Sequence, residues 1–565
     1  MFKLTSVLLG VVIGFSPVAN GGERVNPPSS PDGSGPSSRK RAEEKSAKAR
    51  PDEADTFFED GPLPRLHIDV DPVRLRNLNN DPKTAVPARV REAAPGQADV
   101  VYEGVMVHLK GGPGSFRKVE EKPALTLVFD RDEDKSFHGL VKIHLNNSVQ
   151  DGSYLCENLG AYIFRESGCP APRVTNARVW LNGRDLGPFV LKEGFEDPFF
   201  RKYFHDKSGN LYEGSFADVD ANLPVHYGLH TPAGMNPAKV RQAAESRLHV
   251  LADAMRENDI AKRRERIASV LDVDRFLTFL ACESLVAHWD GYGANRNNYR
   301  IYDDPRTQRL VFLPQGMDQL FQRPDHPLYA NGALMAVALT QGLDDRQRYV
   351  DRLTEIRKSV FTQEKLNARI DHVSARVLPM MREIGREAAR QHEGEAAGLK
   401  QRIADRIKDV DRQIANPPRP LKFEGGVVQL ASAKWETKQE GNAQVDRLGE
   451  SEKVRFRITC KAPGDVGSWR TTVLLPQGRY AFEGRMKTVG VKAAAAAAAG
   501  ENLAAGMRIS GDKTTNRLTG DSAWQAFKYE FDVGESLREV VLVCDLKADK
   551  GQAFFDVSSL VLRKK

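Results

Sequence analysis

Residues 288 to 321 read HWDGYGANRNNYRIYDDPRTQRLVFLPQGMDQLF. Upstream of this stretch, Leu277, Leu280, Ala281, Ser284, Leu285 and His288 recur at helical spacing from a start near Asp272, which predicts an amphipathic helix that delivers Asp290 to the loop after it. Two short apolar runs follow, Tyr299 to Tyr302 and Leu310 to Leu313, and read as strands. They carry the chain to Asp318 on a turn. Two carboxylates and the amides of Asn295, Asn297 and Asn298 are thus expected at the ends of regular elements, where loop side chains do chemistry on a rigid support.

Phosphoryl transfer needs a carboxylate beside the acceptor hydroxyl, and oxygen ligands for the magnesium that neutralises the phosphates. Asp290 is the candidate for the first role. Asn295, or failing it Asn297 or Asn298, and Asp318 are the candidates for the second. His288, Asp290 and Asn295 match the kinase pattern H-R-D-x-x-x-x-N with Trp289 in place of Arg, and Gly316-Met317-Asp318-Gln319 stands where D-F-G would. A polar loop capping strands is the bland reading of the same residues. A kinase also holds the α and β phosphates with a strand lysine, itself held by a helix carboxylate. Lys142 fits, with Glu157 in the next helix as its partner; Lys122 is the rival. Glu193, after a strand ending at Leu191, stands where a hinge meets adenine or where a helix begun near Asp197 is capped.

A chain of 565 residues exceeds what one hydrophobic core supports, so two or three domains are expected. The formal charge of +7 is mild for this length, and basic residues are interleaved with acidic ones, so nucleic acid is not an expected partner. Lys3, the apolar run Leu8 to Phe15 and the small residues from Pro17 to Gly22 read as a signal peptide over 1–22. The expected location is therefore secreted, periplasmic or cell envelope, with no stable membrane span after cleavage. Cys460 and Cys544 lie in or beside strand-like runs and could pair under oxidising conditions, whereas Cys156, Cys169 and Cys282 read as small buried hydrophobes.

Residues 23–60 read as a disordered linker, because Pro, Ser, Gly, Lys and Glu dominate and bury too little surface to offset ordering entropy. From Leu63 to Leu191 short apolar runs alternate with turns, with one prominent helix carried by Leu155, Leu159, Tyr162 and Ile163 and capped by Asp151 or Ser153. The pattern turns helical from about 236 to 416, and the charges of 345–415 read as a solvated face. Pro417-Pro418-Arg419-Pro420 marks a boundary. Beyond it, Val454 to Thr459, Trp469 to Leu475, Tyr480 to Thr488, Met507 to Ile509, Ala526 to Phe531, Glu539 to Leu546 and Ala553 to Leu562 read as strands of a β-sandwich of jelly-roll type. Ala493 to Ala499 reads as a low-complexity loop. Trp469, Trp524 and Tyr529 are either core aromatics or a stacking surface for a glycan.

Several segments in order carry a wider likeness: VHLKGGPGSFR (107–117), KPALTLVFD (122–130), the long run from Gly139 to Phe200, NLYEG (210–214) and the opening stretch. Together they resemble the CotH family of atypical secreted kinases, over about residues 60 to 325. That resemblance implies an α+β, kinase-like two-lobed domain, with an N-lobe at 61–225 and a mainly helical C-lobe at 226–418, followed by the all-β jelly-roll-like sandwich at 421–565. It implies ATP with Mg2+ or Mn2+, and Ser or Thr acceptors on secreted or envelope proteins. In its light Lys110, Gly111, Gly112, Gly114 and Ser115 read as a phosphate loop; a plain hairpin turn has the same composition. One departure stands out: the family often reads P-W-D-x-D, whereas this chain has Pro314-Gln315-Gly316-Met317-Asp318. The competing reading is a non-catalytic surface or matrix-binding protein, in which a kinase fold without activity scaffolds a glycan-binding sandwich.

Overall fold

A computed structural model describes residues 53–565 apart from 95, 97, 113, 131–135, 220–224, 227–246, 258, 330–331, 341, 450–453, 494–502 and 513–515. The signal-like segment, most of the expected linker, Pro113 of the glycine loop and Ala494 to Ala499 lie outside the described residues. Arg50–Lys565 form one compact unit.

Seven strands close into a barrel: β1 (Arg65–Val70), β2 (Val86–Ala93), β3 (Val100–Lys110), β4 (Ala124–Val128), β5 (Lys142–Asn146), β6 (Val174–Leu181) and β7 (Arg184–Glu193), in the order β1-β2-β3-β4-β5-β7-β6. Neighbours run antiparallel except β1 and β6, whose parallel pairing closes the ring. The period-two alternation of strands assigns the two faces. Val107, Leu109, Leu125, Leu127, Ile143, Leu145, Phe189 and Leu191 are buried in one core, so His108, Thr126, His144 and Lys192 fall on the opposite face. These four are directly registered across β3, β4, β5 and β7.

Helix α1 (Glu53–Glu59) falls inside the expected disordered linker and corrects that boundary. Ala54, Phe57 and Phe58 are buried in the barrel core, so these aromatics supply the apolar surface that the residues before them lack. Helix α2 (Pro72–Asn77) follows β1, with Asp71 accepting hydrogen bonds from the amides of Val73 and Arg74. Helix α3 (Cys156–Glu166) begins where Asp151 accepts from the amides of Leu155 and Cys156, which satisfies two of the donors a helix start leaves open.

Past the barrel, α4 (Asp197–Phe204) leads to a second sheet: β8 (Leu211–Gly214), β9 (Val225–His226), β10 (Tyr299–Asp304) and β11 (Arg309–Pro314), in the order β11-β10-β8-β9. β8 thus belongs with the strands after Asp290, earlier in the chain than the lobe boundary expected at 225. α5 (Ile260–Val270) and α6 (Val273–Leu285) pack on β11; then come α7 (Tyr292–Asn295), α8 (Leu334–Ala338), α9 (Leu343–Ser359) against α6, α10 (Gln363–Ile384) against α3, β6 and β7, and α11 (Arg386–Ala415) against α10. The last three carry many exposed charges, as expected, but Arg406 is an exception. It is fully buried and donates to the carbonyls of Ser284 (2.6 Å), Leu285 (3.1 Å), Pro324 (2.8 Å) and His326 (2.6 Å). It therefore ties α11 to the end of α6, the helix that delivers Asp290.

The C-terminal region has a core of its own, built on β12 (Val427–Gln429), β13 (Glu436–Glu440), β14 (Gln444–Leu448), β15 (Arg455–Cys460), β16 (Val466–Lys492), β17 (Ala504–Ile509), β18 (Gln525–Lys547) and β19 (Lys550–Lys564). Two pairs of expected strands are single elements. β16 spans both Trp469 to Leu475 and Tyr480 to Thr488, because the chain at Pro476–Gly478 shifts register against β18 without turning back, as a bulge does. β18 likewise spans Ala526 to Phe531 and Glu539 to Leu546. Cys460 and Cys544 are both buried and free, so the disulfide considered above is absent. Trp469 is in the core, stacked on Phe456 at 4.0 Å.

Removing the Arg406 side chain leaves four carbonyls without their donor, each costing about 1–3 kcal/mol if it stays dry. Arg406→Leu is expected to lower stability by at least about 3 kcal/mol, read as the shift of the helical unfolding transition in urea.

Candidate functional site

The outer face of β3, β4, β5 and β7 roofs a cavity of about 630 Å³ whose floor comes from the loops around Asp290 and Asp318. Lys110, Gly111, Gly112, Ser115, Lys142, Glu157, Asp290, Asn297, Asn298 and Asp318 all line it. Gly114, Lys122, Glu193 and Asn295, also read as site residues from sequence, do not.

At its centre is an ion pair that differs from the expected one. The Lys192 ammonium on β7 lies 3.2 and 3.3 Å from the two carboxylate oxygens of Glu157 on α3, and both side chains are buried. Asn146 Nδ2 donates to the same carboxylate at 3.4 Å. Lys142 instead pairs with Glu196. Lys122 donates to the Tyr154 hydroxyl at 3.1 Å and lies over the rings of Tyr154 and Phe189. A strand ending at Leu191, as the sequence suggests, stops two residues short. β7 runs to Glu193, and alternation past Phe189 and Leu191 places Lys192 on the cavity face.

Glu193 points the other way. Its carboxylate accepts from Arg173 Nε (3.0 Å) and Nη2 (2.6 Å) and from the Arg173 amide (3.1 Å). It neither lines the cavity nor caps α4. The bidentate fork of Arg accounts for its burial, since a carboxylate is kept in the interior by a charged partner.

On the floor, the three candidate asparagines converge on Asp290. Asn295 Nδ2 donates to its Oδ1 at 2.6 Å, while Asn297 and Asn298 donate to its Oδ2 at 3.1 and 2.8 Å. Behind this loop, Glu283 accepts from the amides of Tyr292 and Gly293, both at 2.8 Å, and faces His288 Nδ1 at 3.7 Å. His288 Nε2 donates to the Gly316 carbonyl at 3.1 Å. His288 thus joins the Asp290 loop to the turn carrying Asp318. Burial lowers its pKa, but Glu283 and that carbonyl raise it by more, to above its ordinary value.

Gly316 has φ +60°, and a Cβ there would collide with Asn298 Oδ1. The carboxylate that the family pattern puts at this position is excluded by Asn298 as it now stands. Asp318 is half-buried, and its pKa is raised by burial and by Glu157, against the opposing pull of Lys192 and Lys110. Burial also raises that of Glu157, but Lys192 and Lys110 outweigh it and hold Glu157 below the usual carboxylate range.

The roof is cationic. Burial lowers the Lys110 pKa to about 8, with Lys192 adding to the effect. His144, hydrogen-bonded through Nδ1 to Thr126 Oγ1 at 3.0 Å, is held well below its ordinary value by burial and by Lys110, Lys192, Lys142 and Arg300. Arg300 enters from β10, donating to Gln315 (2.6 Å) and Glu213 (3.0 Å). Sequence reasoning missed Lys192, His144 and Arg300. The glycine loop after β3 is closed by the Gly112 amide donating to Ser115 Oγ at 3.1 Å, and Asn147 Nδ2 donates to the Ser115 carbonyl at 3.0 Å. Gly111 and Gly114 have φ of 121° and 85°, a region that suits glycine. Among the described residues no three His, Cys, Asp or Glu side chains converge as a metal cluster, and no helix is long and apolar enough to cross a membrane.

The model of the family "CotH kinase protein" matches residues 107–409, and the chain belongs to that family. It is 26% identical over 253 residues to Invasin CotH2 of Rhizopus delemar, covering 40% of this chain and 42% of that one. It is 24% identical over 268 residues to the inner spore coat protein H of Bacillus subtilis, covering 44% and 71%. The chain thus spans less than half the length of its fungal relative. Among solved structures, a proinflammatory kinase CtkA of Helicobacter pylori aligns with a TM-score of 0.26 at 9% identity, covering 55% of this chain and 98% of that one. The CBM22-1 xylan-binding domain of Paenibacillus barcinonensis Xyn10C aligns with a TM-score of 0.15 at 13% identity, covering 24% and 92%. At TM-scores this low the fold stands on its own topology.

Burial also lowers the Lys122 pKa to about 8 from the ordinary 10.5. Between those values the unfolded chain binds more protons than the folded one, so this group makes stability rise with pH from about 8 to 10.5. Below about pH 8 the desolvated ammonium is a standing penalty. Lys122→Met is expected to raise the thermal midpoint most at pH 7, with the gain shrinking by pH 10; a gain independent of pH would refute the assignment.

Proposed function

We propose that the chain is an ATP-dependent, atypical protein kinase that transfers the γ-phosphoryl group to Ser or Thr hydroxyls of secreted or envelope proteins. The observation that carries this reading is that one cavity joins the buried Lys192–Glu157 pair, the glycine loop, Asp290 and Asp318. Barrel and helical region are read as the two lobes of a kinase, and the C-terminal sheet as a jelly-roll-like sandwich. Location outside the cytoplasm is supported by the signal-like residues 1–22 and by relatives named as an invasin and a spore coat protein.

In this mechanism Lys192 and Lys110 face the phosphates, and the glycine loop lets backbone amides approach them. The donor set suits a hard divalent cation: the Asp318 carboxylate, with the amide oxygens of Asn297 and Asn298, whose nitrogens are committed to Asp290. Mg2+ or Mn2+, when bound, neutralises charge on the phosphates. Asn295, outside the cavity, is assigned the narrower role of holding Asp290. Asp290 Oδ1 accepts one amide hydrogen bond, and keeps a lone pair for the acceptor hydroxyl proton. As the acceptor oxygen bonds to the γ-phosphorus, the bond to the β–γ bridging oxygen breaks and ADP leaves. Catalysis is then mostly positioning and charge neutralisation.

One observation favours the non-catalytic scaffold instead: Gly316 removes a carboxylate from the floor, and Asn298 fills its space. A glycan partner for the sandwich belongs to that reading. Of its candidate aromatics, Trp469 is in the core and Tyr529 donates to Asp512 at 2.6 Å, while Trp524 lies beneath Arg455 and Lys487.

Transfer of labelled γ-phosphate from ATP with magnesium or manganese decides between the two. Asp318→Ala, Asp290→Ala and Lys192→Met are each expected to lower transfer by about 10²-fold or more, with thermal unfolding close to wild type for the half-buried Asp318. No transfer by the wild-type chain, together with no nucleotide-dependent thermal shift, refutes the kinase reading.

A further inference from the structure

Helix α1 precedes the residues matched by the family model, yet two of its carboxylates reach the neighbours of the central ion pair. Asp55 accepts from Arg173 Nη1 at 2.9 Å, and Arg173 grips Glu193, which adjoins Lys192. Glu59 accepts from Arg369 Nη1 at 2.7 Å, and Arg369 Nε donates to Asn158 Oδ1 at 2.9 Å. Asn158 adjoins Glu157. Its Nδ2 donates to the Val174 carbonyl at 2.7 Å, and Val174 is the register partner of Lys192 across β6 and β7. One arginine relay thus ends beside the lysine, and the other beside its carboxylate.

The helix also bridges the two regions that carry the site. Phe57 stacks on His138 at 4.2 Å and meets Phe137 edge-on at 5.2 Å, both next to the barrel. Arg376 on α10 donates to the carbonyls of Phe58 (3.0 Å) and Gly61 (2.6 Å). Lys202 on α4 holds Asp55 from a third side, at 2.6 and 2.7 Å. Bridging of this kind fixes how α3 and β7 sit relative to each other. A lysine and a glutamate on two different elements need that fixing, because an ion pair retains its geometry only if its supports do.

We propose that α1 is a clamp whose carboxylates, Asp55 and Glu59, are positioning residues for the Lys192–Glu157 pair. The catalytic part of this inference rests on the kinase reading above; the mechanical part does not. Packing alone would place Phe57 and Phe58, whereas the acids act through the arginines.

The test uses the full chain with Asp55→Asn and Glu59→Gln combined, which leaves Phe57 and Phe58 to keep α1 docked. Amide hydrogen exchange is expected to quicken at least fivefold in peptides covering 155–166 and 186–196, with the C-terminal strands unchanged. Phosphoryl transfer at saturating ATP is expected to fall at least tenfold. The pair Asp55→Glu with Glu59→Asp, which keeps both charges, is expected to restore at least half of the rate. Exchange altered only within 53–61, or transfer unchanged in the neutral variant, overturns the clamp. If the wild-type chain transfers no phosphate, the kinase reading fails, and the exchange of 155–166 and 186–196 still decides whether α1 holds the pair.

Discussion

Burying Lys192 and Glu157 together is the constraint that much of the site answers to. Each charge alone would lose several kcal/mol of hydration in the interior, and their attraction offsets this only when geometry is held and the remaining polar atoms are satisfied. Asn146 supplies a further donor to the carboxylate, and Lys110 and Asp318 add opposite charges within electrostatic reach. The glycine loop, the Asp290 floor and the α1 relays are all arranged about that pair. Such an arrangement is costly to maintain for stability alone, because apolar side chains of similar volume would do as well. It stands in the wall of a large cavity lined by further charged side chains, where the proposed function gives it a task.

The floor is stiffened by a different device. Glu283 takes the two amides at the start of α7, His288 takes the Gly316 carbonyl two residues before Asp318, and three asparagines converge on Asp290. These contacts run between α6 on one side and β10–β11 on the other. Arg406 secures α6 from below through backbone carbonyls. The loops carrying the two aspartates are thereby tied to regular structure, in keeping with the preorganisation that the proposed transfer requires.

Much of this was legible in the sequence, and the gaps have physical causes. Helix α6, the strands β10 and β11, and the loop bearing Asp290 follow from apolar periodicity, a property of each segment by itself. Lys192 was missed because choosing among strand lysines depends on which face of a closed barrel is roofed, and that is fixed by the β1–β6 pairing, more than a hundred residues apart. Lys142 sits on the same outer face but turns to Glu196 across a loop, a partner no local pattern encodes. Glu193 looked like a hinge residue until Arg173 arrived from the preceding strand region. Helix α1 was hidden by the composition of its flanks, since two phenylalanines are decisive only where a barrel end is open to receive them. In the C-terminal sheet, Pro476 and Gly478 fall between two expected strands, although one long strand absorbs them as a bulge.

The contact between Asn298 and Gly316 has an evolutionary consequence. A Cβ at 316 and the Asn298 amide would occupy the same space, so 316 cannot accept a larger residue until the side chain at 298 moves or shrinks. A lineage acquiring a carboxylate at 316 must earlier or simultaneously shrink or redirect the side chain at 298, which would release one of the donors fixing Asp290.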